Sequence, residues 1–253
     1  MTSRTAVAVR RPARGIVELV LDGPPLNILS GETQRQLAIA LADLHDEDGL
    51  DAVLVSGAGD RAFSVGADLH EANNAAGGDP WSGEGLAEHW TTLLESLPVL
   101  TIAVVTGHCL GGGLELALCA DLRIASPDAS FGFPEVRIGL IPGMGGTVRL
   151  PALVGPAWAT RMMMTGAHVD ARTALEIGLV QAVDPRPREL ALTWLEDLRP
   201  AAPLARRAVK SLLSTGGDYH AERDAWRGLA ATRDAVEGRT AFSERRPARF
   251  TGS

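Results

Sequence analysis

Within Thr106 to Asp121, read as Thr-Gly-His-Cys-Leu-Gly-Gly-Gly-Leu-Glu-Leu-Ala-Leu-Cys-Ala-Asp, three glycines and one acid could do chemistry. Gly111, Gly112 and Gly113 have no Cβ, so a ligand can approach their backbone, and their N–H groups fall among the unpaired donors of a helix start. With the helix opening near Gly112, Glu115 follows on the same face. One helix end thus offers hydrogen bonds to a developing negative charge and holds a carboxylate beside it. Taken singly, each feature has a plainer reading: glycines serve tight turns, and an acid in a first turn suits the helix dipole. A second acid, Glu135, follows proline in Phe-Pro-Glu, where a solvated side chain is as good a reading as a reactive one.

The elements that must position these groups follow from hydrophobic patterning. Thr5 to Val9 and Gly15 to Leu21 read as a hairpin or neighbouring strands, and Gly31 to Leu44 as a helix with Ser30 as N-cap. Asp51 to Ser56 is a buried strand. Arg61 to Leu69 is an extended piece running through Gly66 into a short helix, which Asp68 is placed to cap. Glu71 to Gly85, thick in Asn, Ala, Gly and Ser, suggests a flap, with Trp81 and Trp90 beside it as either pocket lining or packing. A helix from Leu86 to Leu97 returns the chain to the strand before the three glycines. Asp121 to Ala125 is a strand, Ser130 to Val136 is extended, and a glycine-rich turn from Ile138 leads into a helix over Thr147 to Leu153. Helical patterns follow at Ala157 to Thr165, Asp170 to Ile177, Glu189 to Leu198, Pro203 to Leu213 and Tyr219 to Ala241, with one strand at Leu179 to Val183. This rhythm predicts an α/β fold with a helical end.

The chain has 253 residues, 45% hydrophobic and 22% charged, enough for a sizeable core. Its 24 basic and 31 acidic residues give a formal charge of −7, which argues against nucleic acid as a partner. Leu97 to Ala120 is the most apolar stretch, but His108, Glu115 and a turn interrupt it, so no membrane span is expected, nor is a secretory leader. Cys109 and Cys119 match neither a redox pair nor a zinc knuckle, and a reducing cytoplasm is the expected compartment. His70, His89 and His108 lack metal-ligand spacing, so no metal is expected; no serine-hydrolase elbow or nucleotide-binding loop is present.

Three strand-to-helix turns in a fixed order carry a resemblance. Ala62-Phe-Ser-Val-Gly-Ala-Asp-Leu, Gly107-His-Cys-Leu-Gly-Gly-Gly-Leu-Glu-Leu-Ala, Asp121-Leu-Arg-Ile-Ala-Ser and Phe131 through Thr147 together resemble the crotonase superfamily, the enoyl-CoA hydratase/isomerase family. Flanking pieces, from Pro24-Pro-Leu-Asn-Ile-Leu to Glu237-Gly-Arg-Thr-Ala-Phe, extend the resemblance over nearly the whole chain.

The resemblance implies a crotonase-like spiral of ββα units over residues 1–198, and a C-terminal helical subdomain over 199–253 that assembles a homotrimer or homohexamer. It implies an acyl-CoA thioester as substrate, with coenzyme A part of the substrate and no further cofactor. By the same resemblance the N–H groups of Ala67 and Gly112 form an oxyanion hole for the thioester oxygen. Glu115 activates water and Glu135 exchanges a proton with the α-carbon. Gly143 lines the water site, and Ala62, Val65, Gly66, Asp68, Leu69, Gly111 and Pro134 bind substrate. Addition of water to a 2-enoyl thioester needs one carboxylate to take a proton and one carboxylic acid to give one. Retention of both acids therefore points to a hydratase, with another enolate reaction (double-bond isomerisation or thioester hydrolysis) or acyl-CoA binding without turnover as alternatives. The arginine-rich tail, Arg239, Arg245, Arg246 and Arg249, reads either as a solvated face or as a group reaching CoA phosphates across a subunit boundary.

Overall fold

A computed structural model describes residues 6–69, 86–214 and 216–253. The expectations for Glu71 to Gly85, Trp81 and His70 lie outside the described residues, as does the side chain of His89. In chain order the elements are β1 (Val7–Ala13), β2 (Ile16–Leu21), α1 (Gly31–His45), β3 (Ala52–Gly57), β4 (Ala62–Ser64), α2 (Leu86–Ser96), β5 (Leu100–Val105), β6 (His108–Leu110) and α3 (Gly112–Cys119). Then come β7 (Leu122–Ala125), β8 (Ser130–Gly132), a 3-10 turn (Pro134–Ile138), α4 (Gly146–Thr165), β9 (Val169–Asp170), α5 (Ala171–Glu176) and β10 (Ala182–Val183). Four helices close the chain: α6 (Pro187–Glu196), α7 (Pro203–Ser214), α8 (Tyr219–Ala230) and α9 (Arg233–Glu244).

Two sheets organise the molecule. The larger has the order β1-β2-β3-β5-β7-β10, antiparallel only at β1/β2, and the smaller has the order β4-β6-β8-β9, antiparallel only at β8/β9. Each repeat sends its first strand (β3, β5, β7) to the larger sheet and its second (β4, β6, β8) to the smaller, then a helix, so successive repeats stack by parallel pairing. Period-two alternation divides the larger sheet between two cores. Val53 and Val55 face α1, α2 and α3 through Leu37, Leu41, Leu94 and Leu114, while Ala52 and Leu54 face Ala191 and Leu195 of α6. Trp90 belongs to the first core: it is fully buried and its Nε1 donates to Gln34 Oε1 at 3.2 Å.

Four local expectations are corrected. The extended segment through Glu135 is a 3-10 turn, started by Pro134 and stopped by Gly139 in the left-handed region. Thr147 to Leu153 and Ala157 to Thr165 form one element kinked at Gly155. Tyr219 to Ala241 is two helices, because Thr232 leaves the helical region and its side chain caps Ala235 N. The strand expected from Leu179 is paired only at Ala182 and Val183. Among the described residues no helix is long and apolar enough to cross a membrane.

Candidate active site

The first turn follows β4. Ser64 Oγ accepts the Gly66 N–H at 3.1 Å, and Gly66 takes φ +91. A Cβ on Gly66 would lie 2.7 Å from Gly112 N, so glycine lets the first turn touch the second. Leu29 N donates to Gly66 O at 2.9 Å within a parallel bridge between Leu29 and Ala67. In such a bridge the central residue directs its own N–H to the opposite side. For Ala67 that side holds Gly112, on which a Cβ would lie 3.6 Å from Ala67 N.

The second turn follows β6. Gly111 N donates to Gly132 O at 3.0 Å, and at φ +52 it turns the chain into α3. Gly112 is the first residue of that helix, so its N–H has no carbonyl one turn back within the helix. The backbones of Ala67 and Gly112 are thereby brought together at a dipole-positive helix end.

Glu115 projects from the first turn of α3 and is 1% exposed. Its Oε1 accepts Met144 N at 2.7 Å and Gly146 N at 2.8 Å, both from the turn that enters α4. Burial pushes its carboxyl above the ordinary range, and these N–H bonds and the Arg149 guanidinium pull the other way. Glu135, in the 3-10 turn, is pushed up to about 7 by burial, with the charge of Glu115 adding to the rise. Its Oε2 is buried and has no hydrogen-bond partner among the described residues. Gly111 links the two acids: its carbonyl accepts Glu115 N at 3.0 Å, and a Cβ on it would sit 2.9 Å from Glu135 Oε1.

The structure thus brings together Gly66, Ala67, Gly111, Gly112, Glu115 and Glu135. Val65 and Asp68 flank the first turn, half-buried, with Val65 N donating to Leu26 O at 3.3 Å, and Leu69 beyond them is exposed. Pro134 starts the turn that carries Glu135, and Gly143 precedes Met144 on the approach to Glu115. Ala62 stands apart at the start of β4, buried, with its carbonyl taken by Asn27 Nδ2 at 2.7 Å. Sequence reasoning missed Met144, whose N–H binds Glu115 and whose Cε lies 2.4 Å from where a Gly112 methyl would be. The signal available was its place in Gly-Met-Gly-Gly, just ahead of a helix. An apolar cavity of about 650 Å³, lined by Leu50, Leu100, Leu122 and Val209 among others, lies at the starts of β3, β5 and β7 and contains none of these residues. Among the described residues no cluster of His, Cys, Asp or Glu is arranged to hold a metal.

Residues 11–253 match the family model described as enoyl-CoA hydratase/isomerase. The chain belongs to that family. Among curated relatives of this chain is a crotonyl-CoA hydratase of Syntrophomonas wolfei subsp. wolfei, 36% identical, with 89% of this chain and 90% of the relative aligned. A carnitinyl-CoA dehydratase of Citrobacter koseri is 34% identical over 91% of this chain and 93% of its own length. The solved enoyl-CoA hydratase of Bacillus anthracis superposes with a TM-score of 0.93 at 33% identity, covering 98% of this chain and all of that one. The fold is accordingly the crotonase fold, mixed α/β with C-terminal helices, and the protein is a crotonase-family enzyme.

Proposed function

We propose that the protein is an enoyl-CoA hydratase, a hydro-lyase that adds water across the 2,3-double bond of an acyl-CoA thioester. The observation that carries this reading is the unequal setting of the two acids, Glu115 buried and Glu135 half-buried. Burial raises both, but Glu115 has backbone donors and a nearby cation that favour its carboxylate, while Glu135 is held up to about 7 and carries its proton below that pH. One is provided as a base and the other as an acid, which is the division hydration needs.

In this reading Glu115 takes a proton from water as its oxygen bonds to the β-carbon. The π electrons move to the thioester oxygen, which the Ala67 and Gly112 N–H groups receive. Preorganised donors of this kind stabilise such a charge by about 3 kcal/mol each. Glu135 then gives its proton to the α-carbon, and the two acids exchange protons with solvent before the next turnover. Gly143 borders the water, and Val65, Gly66, Asp68, Leu69, Gly111 and Pro134 lie along the bound thioester. The reading calls on no cofactor besides the coenzyme A that the substrate carries. Exposed apolar side chains on the C-terminal helices, Trp226 at 69% and Phe242 at 86%, support assembly into a trimer or hexamer.

The test is the absorbance of crotonyl-CoA and of a longer 2-enoyl-CoA in the presence of wild type, Glu115→Gln and Glu135→Gln. The reading requires decay with wild type and a loss of at least about 10²-fold with each variant. Binding of both esters without decay overturns it in favour of isomerisation, hydrolysis or a binding role.

A further inference from the structure

Arg149 is in the first turn of α4 with its guanidinium folded back over the turn that precedes the helix. Nη1 donates to the Met144 carbonyl at 2.7 Å, while Nε and Nη2 pair with the two oxygens of Glu95 on α2, the second at 2.8 Å. A Cβ on Gly145 would lie 1.9 Å from Nη1, so the guanidinium rests on a backbone that leaves no room for a side chain. The same short segment delivers both donors to Glu115, since Met144 N and Gly146 N end on Oε1. The segment is therefore gripped twice, its N–H groups by a carboxylate on one side and its carbonyl by a guanidinium on the other.

A partly exposed ion pair contributes little stability, with Arg149 at 19% and Glu95 at 41% side-chain exposure. A bidentate fork does fix geometry, because both partners are planar and meet through two parallel bonds. Such a fork, a single peptide away from a reactive acid, governs where that acid's donors point. We propose that Arg149, anchored by Glu95, is a positioning residue for Glu115: it holds the Met144 carbonyl so that the Met144 and Gly146 N–H groups face Oε1. This rests on the reading of Glu115 as the base of the hydration.

The guanidinium charge acts on Glu115 in the same sense as the two N–H bonds, against the rise caused by burial. Of the other ionisable groups around this acid, Glu135 faces it from the 3-10 turn and Glu95 lies behind the guanidinium. Cys119, one turn along α3, is a buried thiol pushed up by burial and stays neutral. Loss of the cation therefore moves Glu115 towards its protonated form.

The experiment follows Glu115 by carboxyl carbon-13 NMR, with the signal assigned by its absence in Glu115→Gln, alongside crotonyl-CoA kinetics. Arg149→Met and Arg149→Gln, two neutral variants of different polarity in case one fails to fold, lower kcat about 10- to 100-fold with KM held within about twofold. Both move the Glu115 titration and the acid limb of kcat to higher pH, and Arg149→Lys, which restores a cation, returns the titration towards wild type. A Glu115 titration unmoved in the folded neutral variants overturns the proposal, as does a loss confined to KM. A wild type without hydratase activity overturns the hydration reading alone, because the NMR titration still decides whether Arg149 governs Glu115.

Discussion

Glu115, buried, and Glu135, half-buried, have opposite provision: Oε1 of Glu115 accepts two backbone N–H groups at 2.7 and 2.8 Å, and Oε2 of Glu135 has no partner among the described residues. Hydrogen bonds to the charged form favour ionisation, and burial without them opposes it. Both carboxyls lie above the ordinary range, and the backbone offsets the effect of burial more strongly at Glu115.

A pH–rate profile should show this difference. Hydration falls as pH rises through about 7, where Glu135 loses the proton it must give. It also falls at low pH, where Glu115 becomes protonated and can no longer take one. Measurement of kcat for crotonyl-CoA from about pH 5 to about pH 9 checks both limbs. A rate still rising well above pH 7 contradicts the role given to Glu135.

Stability carries the same signature. A carboxyl whose folded pKa lies above its unfolded value binds its proton more tightly when folded, so stability falls as pH rises from 4.5 through about 7. Glu135→Gln removes this loss. The variant should melt above wild type at pH 8 and with it at pH 4, by calorimetry at the two pH values.

Gly112→Ala and Gly113→Ala separate function from packing. A Cβ on Gly112 meets the thioether end of Met144 at 2.4 Å, a flexible neighbour that can swing aside. The variant folds, and its methyl crowds the Ala67 N–H, lowering kcat by about 10²- to 10³-fold. A Cβ on Gly113 meets the Ser64 carbonyl at 2.2 Å, a backbone atom that cannot yield, so that variant loses about 1–3 kcal/mol of stability. Denaturant melts and kinetics on both variants read out the contrast.

Sedimentation tests the assembly. A chain of 26.6 kDa should run as three or six copies, and Trp226→Glu with Phe242→Glu should shift it to lower mass. A wild type that sediments as a single copy overturns the assembly reading.

The repeat was legible because its first strands are mostly apolar and β4 and β6 each run into a glycine turn. Ser30 was readable as a cap and does accept Thr33 N at 3.2 Å. The strands of the smaller sheet have three residues or fewer, and β10 at the edge of the larger sheet has two, too short for alternation to show, which is why β9 and the limits of β10 were missed. The 3-10 turn at Glu135 has only five residues, and its proline suggested extension. Resemblance singled out the two acids, but the Met144 and Gly146 N–H donors reach Glu115 across about thirty residues of sequence, a distance no local pattern encodes. The tail arginines were also ambiguous; Arg246, exposed, pairs with Glu237 of the last helix at 2.6 Å.

Ala67 and Gly112 follow β4 and β6, hydrogen-bonded neighbours in the smaller sheet. Adjacent parallel strands lie about 4.8 Å apart. An oxygen that accepts two N–H groups at about 2.9 Å each requires donors no more than about 5.8 Å apart. The ladder spacing therefore acts as a gauge block for the proposed oxyanion hole, machined by backbone pairing and insensitive to surface side chains. On heating, such a gauge keeps its dimension until β4 and β6 part, so turnover should vanish with the melting of that pair and not with fraying of the C-terminal helices.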